Sequence, residues 1–268
     1  FETMPAGKID LALQLEADRM FNSQFDEHEV ESERTVIISE REGSENEPLF
    51  RLGEAVQAAS FDLHSYHHEV IGEKNDLLKI SRDDLYEHYQ SYYHPGNAVI
   101  ALAGDFEMDA MIDRLSQLYA SLPAGSTPTN HIQAESPLEA ERRIEVSGPG
   151  QTTFLQLAYR SPAANHPDFF AFSVLDSLLS GPSSLNMFGG GISNKTSRLY
   201  RALVEKELAV NVRGGLQATI DPFLFEIILT VRPEHKPAEV LAAIDAQISR
   251  LQDSPVSEED IARAVKQA

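Results

Sequence analysis

Apolar residues recur along most of this chain at helical spacing, interrupted by short runs of continuous or alternating hydrophobicity. Residues 8–25 place Ile9, Leu13, Ala17 and Met20 at i, i+4, i+8 and i+11, which predicts an amphipathic helix. Asp26 is a candidate N-cap for a second helix running through HEVESERTVIISERE, with Val30, Val36, Ile37 and Ile38 as its apolar stripe. PLFRLGEAVQAASF predicts a third helix. Residues 61–80, rich in His and Gly, read as a loop. Ser81 with Asp84 three residues on is a capping-box pattern opening SRDDLYEHYQSYY, and His94-Pro95-Gly96 ends that helix. NAVIALAGDF predicts a short buried strand, and EMDAMIDRLSQLYASL a further amphipathic helix.

Residues 123–139 are rich in Pro, Ser, Thr and Gly and form the best linker candidate. Beyond them, RRIEVS, TTFLQLAYR, LAVNVRGGLQAT and PFLFEIILTVR predict strands. DFFAFSVLDSLLS, TSRLYRALVEKEL and PAEVLAAIDAQISRLQ predict helices, and SEEDIARAVKQA begins another. Residues 181–193 read as a flexible loop. Strands and helices do not alternate strictly as βαβ, which favours an α+β fold with antiparallel sheet over a doubly wound one. The expected division is residues 1–122, a linker at 123–139, and residues 140–268. The opening at Phe1-Glu2-Thr3-Met4-Pro5 and the stop inside a helical run suggest an excerpt from something longer.

Composition narrows the function classes. The chain has 268 residues, 42% of them hydrophobic and 24% charged, the balance of an ordinary globular protein with a real core. A net charge of −20 excludes an extended nucleic-acid footprint and would suit a basic partner or basic peptide, although solubility alone accounts for it equally well. With no cysteine, disulfides, thiolate zinc sites and a cysteine nucleophile are excluded. No apolar run approaches the length of a membrane span, so a soluble chain is expected, in no particular compartment.

The candidate chemistry lies in the second helix. Glu33 and Glu40 are seven residues apart, two turns, and point from one face beside Ile37. Two carboxylates at the edge of an apolar stripe suit a bound cation, and the same spacing suits a solvated acidic face. His64, His67, His68 and Glu69 lie together in a presumed loop. Their spacing could take an adventitious metal, but a structural role is the preferred reading. His28 is expected on the surface. Gly189-Gly190-Gly191 matches neither a P-loop nor a dinucleotide fingerprint. Ser183, Ser184 and Ser193 lack a nearby His-Asp pair, so a serine hydrolase has little support.

The run from LALQLEADRMFNSQF through ESERTVIISERE resembles the helix pair after the zinc motif in the pitrilysin/insulinase zinc peptidases (M16), including bacterial processing-peptidase-like members. SRDDLYEHYQSYYHPGNAVIALAGDF is similar to a later segment of that family, and TSRLYRALVEKELAVNV to the segment that opens its next repeated domain. The resemblance implies two homologous α+β domains, each a mostly antiparallel sheet covered by helices. It also implies a zinc metalloendopeptidase acting on peptides. In that family an inverted His-x-x-Glu-His motif supplies two zinc ligands and the general base, and a later Glu is the third ligand. Glu40 matches that Glu, and Glu33 matches a residue that supports the site from behind the ligand.

Two departures qualify the reading. His-x-x-Glu-His does not occur in these residues, so Zn2+ is expected in an intact parent protein and the excerpt alone is expected to be inactive. Where the family often places a substrate-holding Arg and Tyr, this chain has Val204 and Val210, which cannot donate a hydrogen bond. Some members divide the zinc motif and the Arg-Tyr pair between subunits, so a second related subunit or a homodimer is expected. The alternative is a non-catalytic family subunit with a structural or regulatory role.

Overall fold

A computed structural model of the chain describes residues 1–129, 132–182 and 194–268. In chain order the elements are α1 (Ile9–Asn22), α2 (Glu27–Glu45), α3 (Pro48–Ser60), α4 (Lys74–Leu77), α5 (Arg82–Tyr92), α6 (Met108–Tyr119), β1 (Phe154–Ser161), α7 (Phe169–Leu179), β2 (Ala209–Leu216), β3 (Phe223–Val231), α8 (Pro237–Asp253) and α9 (Glu258–Gln267). The fold is α+β with a small antiparallel sheet. The residues separate into two compact units, each discontinuous in sequence: Phe1–Ser44 with Glu69–Gln133, and Glu45–His68 with Ala134–Ala268.

The first unit is helical among its described residues. Asp26 caps α2 as its side chain predicts, accepting from the amides of His28 at 2.9 Å and Glu29 at 3.3 Å. Ser81 and Asp84 form the reciprocal capping box of α5. Ala12 and Leu13 of α1, Tyr89 of α5 and Met111 of α6 are buried, and α1 packs on α6. Tyr89 donates its hydroxyl to the Arg19 carbonyl at 2.9 Å and packs against Phe25 with ring centroids 5.1 Å apart and planes tilted by 47°. Phe25 has φ 51°, a left-handed conformation costly for a bulky residue. Arg82 holds it there by donating to the Phe25 and Gln24 carbonyls, both at 2.9 Å.

The second unit is built on the sheet β1-β3-β2. β3 is central and antiparallel to both neighbours, with Leu155 facing Leu229 on one side and Leu216 facing Phe225 on the other. β3 is buried or half-buried at every position, which suits its almost continuously apolar sequence FLFEIILTV. Its one carboxylate, Glu226, accepts a 2.6 Å hydrogen bond from Gln156 across the strand pair. Leu199, Leu203, Ile227, Leu229, Val240 and Ile244 form the centre of the core. A smaller cluster of Phe61, Phe223 and Leu224 lies beside Tyr66.

Gly214 of β2 sits where a Cβ would collide with Ser180 and Asp176, so only glycine lets α7 approach the sheet. Asp176 is 1% exposed. Burial pushes its carboxyl up to about 6, against the opposing 2.7 Å hydrogen bond donated by Ser180.

Four sequence expectations change. Residues 61–80 are not loop throughout, since Lys74–Leu77 form α4. NAVIALAGDF is not a buried strand: residues 98–103 form no ladder bonds among the described residues, and Val99 is 95% exposed. RRIEVS likewise pairs with nothing described, leaving Ile144 and Val146 exposed. Strand propensity gives a conformation, but a ladder needs a partner edge, and none is present among the described residues. The helix expected over TSRLYRALVEKEL becomes a π-helical turn, Tyr200–Val204. Its bonds run five residues back, from Glu205 to Tyr200 at 3.1 Å and from Leu208 to Leu203 at 2.8 Å. Glu207 then turns the chain into β2 with φ 60°.

The linker candidate begins in the first unit and continues in the second. There Glu135 accepts from three consecutive amides, Asp62, Leu63 and His64, at 2.9, 2.8 and 3.0 Å. Arg142 forks Asp62 at 2.9 and 2.6 Å.

Candidate functional site

Helix α2 carries the candidate site, and arginines position it. Its doublets Glu33-Arg34 and Glu40-Arg41 repeat at a spacing of two helical turns. Arg34 reaches the carbonyls of Leu77 and Ile80, the latter at 2.6 Å. Arg41, 3% exposed, donates to the Gly72 carbonyl at 2.8 Å and faces Glu73 at 3.7 Å. Both arginines therefore bind α2 to the 72–80 segment. Adjacent helical residues lie about 100° apart around the axis, so the same clamp turns Glu33 and Glu40 together onto another face. Both glutamates are exposed there, and neither side chain makes a hydrogen bond or ion pair to another described residue. The repeated Glu-Arg doublet is the sequence signal for this arrangement.

The arrangement suits one metal ligand and not a metal centre. A carboxylate on a clamped helix, free of competing donors, can offer its oxygens to a cation. No group of three or more metal-ligating side chains gathers among the described residues. The two histidines and the base that would complete a zinc site have no counterpart on α2, so no chemical step is assigned to a metal here.

The histidine cluster is structural. His64 is buried; its Nδ1 accepts from the Tyr66 amide at 3.0 Å, and its Nε2 lies 3.3 Å from Asp221. His67 donates from Nδ1 to the Phe61 carbonyl at 2.6 Å. His28 is exposed, as expected. Val204 packs against the core and Val210 is 54% exposed; neither supplies a polar group. Ser183, Ser184, Ser193 and Gly189-Gly190-Gly191 lie outside the described residues.

A fold of this class, with a carboxylate-bearing helix in one unit and a helix-covered antiparallel sheet in the other, recurs in solved proteins. A protease from Helicobacter pylori superimposes with a TM-score of 0.84 at 24% identity, covering 97% of this chain and 62% of that one. The peptidase M16 inactive domain from Pseudomonas fluorescens gives 0.80 at 23% identity, covering 97% and 60%. The sequence profile described as "Peptidase M16 inactive domain" matches residues 79–268, well over half the chain. The chain belongs to the peptidase M16 family.

Among curated relatives, an uncharacterized zinc protease of Mycobacterium leprae is 26% identical over 93% of this chain and 54% of its own length. A probable mitochondrial-processing peptidase subunit beta of Arabidopsis thaliana is 24% identical over 97% and 48%. The chain thus spans about half the length of these relatives. The profile match begins at residue 79, so α2 with Glu33 and Glu40 lies outside it. No helix of the described residues is long and apolar enough to cross a membrane.

Proposed function

We propose that this chain is part of a zinc endopeptidase of the M16 type, in which Glu40 supplies one zinc ligand and Glu33 steadies it. The histidine pair and the general base come from outside these residues, and the chain has no peptidase activity alone. The observation that carries this reading is the pair of arginine clamps. Arg34 and Arg41 fix α2 while leaving both glutamates exposed and unpaired on a shared face. A merely solvated acidic helix has no need of a clamp repeated at the spacing of the carboxylates. The names of the relatives, zinc proteases and a processing peptidase subunit, support the same class.

The substrate class is peptides, and residues 1–122 and 140–268 are parts of two homologous domains, a division by sequence that differs from the two compact units in assigning residues 45–68 to the first part. A related subunit, or a second copy, supplies the donors that Val204 and Val210 lack, as the subunit relative suggests by analogy. A second reading, a non-catalytic subunit, is favoured by the match of most of the chain to a domain described as inactive.

Zinc content and peptide cleavage of the full-length protein, beside its Glu40→Gln variant, separate the two. In the first reading the wild type holds zinc and Glu40→Gln loses most of it, with cleavage. Equal zinc in both proteins sinks the ligand assignment. A full-length protein with no zinc at all leaves the non-catalytic subunit.

A further inference from the structure

In the second unit, a cavity of about 90 Å³ opens between α7, the segment leading into the π-helical turn, and α9. It is lined by Ser177, Thr196, Arg198, Arg201, Asp260 and Arg263. The chain has 42 acidic residues and 22 Lys plus Arg, so three arginines around one small cavity run against its overall charge. The single carboxylate there is already engaged. Asp260 accepts from the Ser257 side chain and from Arg263, and Arg198 adds a further attraction, so its carboxyl stays below the usual range. Arg201 has no ion-pair partner among the described residues. Ser177 is 2% exposed, and its Oγ has no hydrogen-bond partner there. A buried hydroxyl left unsatisfied is costly unless a ligand or water meets it.

We propose that this cavity is a binding site for a small oxyanion, a phosphate or a carboxylate. Guanidinium groups present forked donors that match the oxygens of either anion. The Ser177 and Thr196 hydroxyls, also in the lining, add neutral donors. Asp260 is kept off the ligand by its own partners and orients Arg263. The cavity volume admits an anion of four or five heavy atoms, whereas a single water needs only about 10–15 Å³. The site is separate from α2 and does not depend on Glu40 or on zinc. A net charge of −20 hides it from a composition-level reading, because it depends on where three arginines converge.

The test is a titration of the ¹⁵N-labelled chain with inorganic phosphate and, separately, with acetate, at constant ionic strength, reading the arginine Nε–H signals. Saturable shifts at Arg198, Arg201 and Arg263 with a midpoint at or below about 10 mM are expected for one anion or both. Saturation by phosphate alone assigns a phosphoryl ligand; saturation by acetate as well assigns a carboxylate-bearing one. Arg201→Gln is expected to weaken binding about tenfold. Ser177→Ala is expected to weaken it by a smaller factor, and Arg250→Gln, on the exposed end of α8, to leave it unchanged. Circular dichroism melts check that each variant folds, and Ser177→Ala serves if an arginine variant does not. Absence of saturation, saturation that survives Arg198→Gln with Arg201→Gln, or an equal response at Arg250 would overturn the proposal.

Discussion

In the first unit, helices are joined largely by long polar side chains that cross to backbone carbonyls: Arg34 and Arg41 from α2, Arg82 from α5, the Tyr89 hydroxyl to Arg19. In the second, a three-stranded sheet and its covering helices share one continuous apolar core, and the fully buried side chains are mostly Leu, Ile and Val. The first mode fixes orientation with few buried apolar side chains, and the second unit holds most of those that are buried. The candidate ligand helix is held in the first way. A helix steered by charge-assisted bonds can present carboxylates to solvent without sinking an apolar face.

The comparison breaks most sharply at the centre of the sheet. Ile227 is fully buried on β3, and Ile227→Ala is expected to cost about 4 kcal/mol through lost contacts and the cavity left behind. Urea unfolding followed by hydrogen exchange should show the loss in the second unit, with α1, α2 and α5 protected as before. Equal loss in both units would mean that the two modes are not energetically separate.

Asp176 sharpens the same contrast through pH. Its folded carboxyl is raised from 3.8 to about 6 by burial, so the native state keeps its proton where the unfolded chain has lost it. Stability from this group is therefore fully present below about pH 4 and is lost as pH rises through about 6. Asp176→Asn keeps an acceptor for Ser180 and removes that loss. It should stabilise the protein at pH 7.5 by about 3 kcal/mol. The variant and wild type should converge near pH 4. Parallel pH profiles would show that Asp176 is ionised without cost in the fold.

The smallest expected effect falls on the first unit. Arg41→Met keeps the apolar stem and removes the bond to Gly72, at a cost of about 2 kcal/mol confined to α2 and the 72–80 segment. Amide exchange should speed up there while β3 stays protected. On the proposed ligand role of Glu40, this variant should also loosen zinc in the full-length protein, since Glu40 loses its neighbour's anchor.

Helices carried by periodicity and caps were legible before any coordinates. Asp26, Ser81 and the apolar spacing of α1, α6, α7 and α8 each identify a helix, because capping and amphipathicity are local properties. β1, β2 and β3 were legible for a related reason, as each is apolar enough that only a sheet core would bury it. Residues 98–103 and 142–147 carry the same local signal and form no ladder among the described residues, since pairing is not local.

The site divides along the same line. Glu33 and Glu40 were legible as a pair on one helix face, and their assignment to a ligand role came from resemblance. That Arg34 and Arg41 turn that face outward depends on carbonyls some forty and thirty residues away. The docking of Glu135 on three amides, the π-helical turn at Tyr200–Val204, the raised Asp176 carboxyl and the arginine-lined cavity were all decided by tertiary structure. Periodicity, capping and turn chemistry act within a few residues, so the sequence by itself determined the helices, the central strand and the family. Burial, charge convergence and strand pairing depend on residues brought together across the chain, and only the folded structure placed them.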